Sequence, residues 1–258
     1  MKGFSPSTVM TCGAVAIAAF LLTRSTAVGQ ACCVAAYLIG LLSCWRGALL
    51  YPKDSPIRLG WLAMGANCVL SAFRHAALIP KQFVRSTDRI DIVSQTLQLP
   101  ALIFVLLGLG AMWWGVYRLG LGFRVRWWEC SAIASSAAMI AWTFRDNLSH
   151  AHSANGVLTV LQLISLTLLI AIAGVGLLLH GLAMQMGGGR LAVVMRSVAV
   201  YALIRSLLNL SQGDSGNSPL IWSLCHYAVP WIFAFGAACA CWLADGVRRT
   251  IREPFWQT

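Results

Sequence analysis

The sequence predicts an all-α, polytopic transmembrane helical bundle of seven or eight spans, folded as a single membrane domain over residues 1–258. Two observations carry this. Hydrophobic residues make up 59% of the chain and charged residues only 10%, whereas a soluble domain is about 45–50% apolar and roughly 25% charged. Apolar runs of about 20 residues, the length that crosses a bilayer as a helix, also follow one another with only short loops between them. The same composition excludes a soluble globular domain and a disordered chain, which needs low hydrophobicity.

Eight runs qualify as spans: Ser7–Leu22, Val28–Leu50, Leu59–Leu78, Ile92–Val116, Trp127–Phe144, Gly156–Leu182, Leu191–Leu210 and Pro219–Leu243. The first admits two readings. Met1-Lys2, an apolar stretch and then Ser25-Thr26-Ala27 has the outline of a cleaved signal peptide. The immediate start of the second run instead suggests a tight helical hairpin, with the first span retained. Cleavage leaves seven spans and retention leaves eight. Pro100 and Pro230 lie inside the fourth and eighth runs, where proline removes a helical hydrogen bond.

Basic residues set the orientation, because Lys and Arg accumulate in cytosolic loops. With eight spans, the side bearing both termini collects twelve of the nineteen Lys and Arg residues, so both termini are expected in the cytosol. Arg118–Trp128 and Arg248–Thr258 are its clearest cytosolic segments, and the loop Lys81–Arg89 is the main exception. The net charge of +11 is spread over loops at both membrane faces. That distribution excludes a nucleic-acid groove and fits contact with anionic lipid head groups. Trp113, Trp114, Tyr117, Trp127, Trp128 and Trp256 flank these basic residues as interfacial belt residues do. The nine cysteines lie in or beside spans without metal-ligand spacing, and read as small buried hydrophobes.

The third, fifth and seventh runs end alike. Each places an arginine at its outer end: Arg74, Arg145 and Arg205. The fifth and seventh then share Asn-Leu-Ser, a glycan acceptor motif at Asn147 and Asn209. Gly108, Gly110 and Gly115 of the fourth run reappear, each shifted by 66 positions, as Gly174, Gly176 and Gly181 of the sixth. Spans three to eight therefore read as possible repeated helical hairpins, a common device in transporters. The glycines themselves read as close-packing positions.

The arginines have two readings. As anchors they snorkel to the outer head groups. As a site they turn inward and bind an anionic group, for which the planar guanidinium fork is suited. Asp146, His75, His150, His152 and Asp214 are expected on the same side. His226, beside Tyr227 and deeper in the outer half, is a proton carrier or a hydrogen-bonded packing residue. The ligand-binding candidates are thus Arg74, Arg145, Arg205, Asp146 and His226.

No nucleophile elbow, zinc helix or cofactor motif occurs, so no catalytic residue, metal or cofactor is assigned. The expected function is binding or translocation of a lipophilic or amphipathic small molecule or lipid. The expected partners are membrane lipids and a lipophilic or anionic small molecule. Two alternatives stay open. One is an intramembrane enzyme on a lipophilic substrate, of terpene-cyclase-like size, with Glu129, Asp245 or His226 as acid or base. The other is a seven-span receptor or sensor.

The stretch Tyr201–Gly213, with Arg205 and Gln212-Gly213, followed by a last span ending in Ala244-Asp245-Gly246, resembles the end of the fungal lipid-translocating exporter family of small seven-helix membrane proteins. The resemblance covers about the last sixty residues. It implies a helical bundle in a fungal membrane, linked to movement of lipids or toxic compounds. Members carry an acidic residue between the arginine and Gln-Gly, and close the last helix with His-Pro-Gly. This chain lacks the acidic residue and closes with Ala-Asp-Gly, so no residue role is carried over.

Overall fold

A computed structural model describes residues 5–80, 88–118, 156–185, 189–211 and 220–252, together with the helical positions Trp127, Ser131, Ala134, Ser135, Ala138 and Trp142. Among the described residues all regular structure is helical. The helices are α1 (Pro6–Thr23), α2 (Thr26–Leu49), α3 (Pro56–Leu78), α4 (Asp88–Arg118), α5 (Gly156–Gln185), α6 (Gly189–Ser211) and α7 (Leu220–Arg252). Most of the fifth run, with Arg145 and Asp146, lies outside the described residues, as do Glu129 and the Asn147 sequon.

Local chemistry sets the helix ends. Ser5 caps α1 by accepting from the Thr8 amide at 3.1 Å, and Pro6 occupies the first turn, where a missing N–H costs nothing. Arg24 closes α1 in the left-handed region (φ 52°), its amide reaching Phe20 O. Ser25 then opens α2, so a two-residue turn joins the helices into the hairpin that the sequence suggested. The last helix departs from expectation. It runs past Leu243 and through Ala244-Asp245-Gly246 to Arg252, because Gly246 is tolerated inside a helix at a cost of about 1 kcal/mol. Ala-Asp-Gly is therefore not a helix end, and part of the basic tail is helical.

Each helix from α2 to α7 packs on the next, and α7 returns to α2, so the described contacts close a ring. Helix α1 lies outside that ring, against α2 and α7. Tyr37, Met64, Leu109, Leu169, Val198 and Phe233, one from each ring helix, belong to one continuous buried cluster. Small residues permit the close approaches. A Cβ on Gly60 would meet the Gly108 carbonyl at 2.8 Å, and one on Gly236 would meet Ser197 Cβ at 2.7 Å. The ring of Tyr227 covers Gly29 so closely that no side chain fits there. Gly108, Gly115 and Gly176 are packing positions as expected, whereas Gly110 faces open space.

The outer surface is apolar: Leu22, Leu42, Leu59, Phe73, Leu107 and Leu203 are all exposed. Five of the helices, α1, α2, α4, α5 and α7, are long and apolar enough to cross a membrane. Helix α3, which carries Arg74, is less apolar, because Asn67, Arg74 and His75 lower its mean hydropathy. The coarse expectation of a helical membrane bundle holds.

Candidate functional site

One end of the ring gathers polar residues that an apolar interior accepts only when they are paired. Spacing places them. Ser94 and Gln98 lie one turn apart on α4, as do Tyr201 and Arg205 on α6, and Asn67, Ser71 and His75 repeat every four residues on α3; such residues share a helix face. Gln30 and Tyr37 come from α2 and His226 from α7. All lie in the half of the bundle where α2, α4 and α7 begin and α3 and α6 end.

Two of the expected arginines lie there. Arg205 is buried, 3% exposed, and its Nη1 donates to His226 Nδ1 at 2.9 Å. A guanidinium carries donors only. His226 therefore accepts at Nδ1, and its neutral ring carries the proton on Nε2. Arg74 is half-buried and donates from Nε to Ser94 Oγ at 3.1 Å. Arg74 precedes His75 on α3, and the His75 ring lies 5.9 Å from that of His226. Inward placement, not snorkelling, describes Arg205 in this structure.

His75 is fully buried. Its Nδ1 lies 2.6 Å from Gln30 Oε1, an acceptor, so Nδ1 donates and the neutral ring presents Nε2 as a lone pair. That Nε2 has no partner, and neither does Gln98 Oε1 one turn beyond Ser94. His75 stacks on Tyr37 at 5.5 Å and sits edge-on to His226 at 5.9 Å. Tyr37 and Tyr201 join hydroxyls across the ring at 3.0 Å. Beyond the tyrosines, α3, α4, α6 and α7 enclose an apolar cavity of about 10 Å³, lined by Trp61, Met64, Met112, Met195 and Phe233 among others.

Pro230 has no N–H to close on the carbonyl of His226, so that oxygen loses its helical donor at the level of the cluster. Gln30, Arg74 and His226 are only half-buried, which leaves the cluster a rim.

No protein-family profile, curated protein or solved structure matches this chain. The site is therefore argued from its own chemistry. Of the five sequence candidates, the structure brings Arg74, Arg205 and His226 into one cluster, while Arg145 and Asp146 lie outside the described residues. His75 was expected on this side and stands at the centre. Gln30, Tyr37, Ser94, Gln98 and Tyr201 were missed. Tyr201 lies one turn from Arg205, a spacing that could have pointed to it; Gln30, Tyr37, Ser94 and Gln98 carry no such signal.

Proposed function

We propose that this chain is a multi-pass membrane protein that binds the anionic head of a lipophilic or amphipathic molecule, a membrane lipid or small molecule, at Arg74 and Arg205. One observation carries the reading: two guanidinium groups are held within an apolar bundle on uncharged partners, Arg74 on Ser94 and Arg205 on His226. Two like charges placed together in a low-dielectric interior repel, and each loses hydration. An anion that bridges them removes both penalties, and an intramembrane cation is a functional-site hypothesis by default.

The finer topology belongs to the same proposal. Helices α3 and α6 also span the membrane, since they expose Leu59, Phe73, Val193 and Leu203 outward and keep their polar residues within the ring. Packing of Gly13 against the Trp231 ring supports a retained first span, giving eight spans with both termini in the cytosol. The placement of Arg74 and Arg205 near the ends of α3 and α6 supports repeated hairpins. The exporter-like reading of the C-terminal part is retained only as movement of an amphipathic ligand through this site.

The test is lipid retention. Purified protein in nanodiscs of zwitterionic lipid with a minor anionic component is released into a native mass spectrometer. Wild type is expected to keep the anionic lipid, and an Arg74→Leu/Arg205→Leu variant to lose that preference while remaining in the membrane fraction. Equal retention by the two proteins would refute the reading.

A further inference from the structure

The balance of donors and acceptors at this site restricts its ligand further, on the footing of the anion-binding reading above. Arg74 spends Nε on Ser94 and Arg205 spends Nη1 on His226. The remaining guanidinium nitrogens are donors for an anion. Beside them stand His75 Nε2 and Gln98 Oε1, acceptors that lack donors, on side chains 0% and 4% exposed; Asn67 Nδ2, two turns before His75 on α3, is a donor without an acceptor. The carbonyl that Pro230 frees at His226 adds a third acceptor. A bare anion satisfies the arginines but turns lone pairs toward these oxygens and this nitrogen. An ammonium would supply hydrogens, yet it brings a third cation beside two guanidinium groups, which Coulomb repulsion opposes. A hydroxyl supplies the hydrogens without charge.

We propose that the site takes a hydroxylated phosphodiester head group of a membrane lipid, its phosphate oxygens on Arg74 and Arg205 and a head-group hydroxyl donating to His75 Nε2 or Gln98 Oε1. Binding forms and breaks no covalent bond. Buried polar groups left unpaired make this kind of recognition steep, because a site built to pair a hydroxyl rejects the analogue that lacks it.

The experiment compares three probes in phosphatidylcholine nanodiscs: phosphatidylglycerol, phosphatidylmethanol and no anionic lipid. Phosphatidylmethanol keeps the phosphodiester charge and lacks the hydroxyls. Wild-type protein is expected to bind phosphatidylglycerol about tenfold more tightly than phosphatidylmethanol, a gap of about 1.4 kcal/mol, and to bind both above the phosphatidylcholine background. His75→Phe and Gln98→Leu are each expected to narrow the gap, and agreement of the two guards against a folding defect in either. Equal binding of the two anionic lipids overturns the hydroxyl inference and leaves the anion site standing. Binding of neither above background overturns both. Soluble glycerophosphoglycerol at matched concentration is expected not to displace the lipid, and full displacement would overturn the assignment to a membrane lipid.

Discussion

Replacing Arg205 with leucine is expected to separate stability from binding. The side chain is 3% exposed, and its described hydrogen bond runs to His226 Nδ1 at 2.9 Å. Losing a hydrogen bond to a charged group costs about 1.5–3 kcal/mol. Against that stand the desolvation of a buried cation, several kcal/mol by itself, and repulsion from Arg74. The two sides are of similar size, so the folded state loses little or gains. The melting midpoint of the variant, followed by tryptophan fluorescence, is expected within about 4 °C of wild type, or above it. Binding loses the charge-assisted contacts outright. A loss of about 1.5–3 kcal/mol weakens anionic lipid by roughly one to two orders of magnitude, read by native mass spectrometry. A midpoint lowered by about 10 °C or more with unchanged lipid retention would refute the reasoning, since Arg205 would then be a structural tie and not a ligand contact.

Three other outcomes follow from the geometry. Tyr37→Phe and Tyr201→Phe each leave one buried hydroxyl without its partner at 3.0 Å, so each is expected to cost about 1–2 kcal/mol in denaturant unfolding, and the double variant less than their sum. Gly108→Val drives side-chain atoms against the Gly60 carbonyl, 3.0 Å from the Cβ position, and is expected to destabilise by about 1–3 kcal/mol, whereas Gly110→Val meets open space and is expected to be neutral in the same thermal assay. Ser94→Ala removes the acceptor that orients Arg74 at 3.1 Å; lipid retention is expected to fall severalfold while the preference for anionic over zwitterionic lipid persists.

Hydropathy made most of the fold legible, because a membrane helix must be apolar over a fixed length. The third run, Leu59–Leu78, ends at the same residue as α3. The extension of α7 to Arg252 was not legible, since the end of an apolar run marks where hydropathy falls and not where a helix stops. The roles of Gly108 and Gly110 were not separable either. The two residues are alike in sequence, and only the position of α3 decides which of them meets a neighbour.

At the site, charge was the readable signal. Arg74, Arg205 and His226 stood out because ionisable groups are rare in spans. Whether an arginine near a span end turns inward or outward depends on neighbouring helices, so the sequence leaves both readings open, with snorkelling the more ordinary; the burial of Arg205 against His226 decides for that residue. The uncharged partners were harder. A single Gln98 or Ser94 is unremarkable in a helix, and gains meaning only when Arg74 of the adjacent helix is seen to need an acceptor. Tyr37 and Tyr201 are 164 residues apart, and nothing local in either segment indicates the pair.

The most direct test of the central claim is a density map of the full chain in nanodiscs containing a hydroxylated anionic lipid, read at one place. The account predicts head-group density between Arg74 and Arg205, within hydrogen-bonding reach of both guanidinium groups and beside His75. Arg74 and Arg205 splayed apart into the head-group layer, with no density between them, would contradict it.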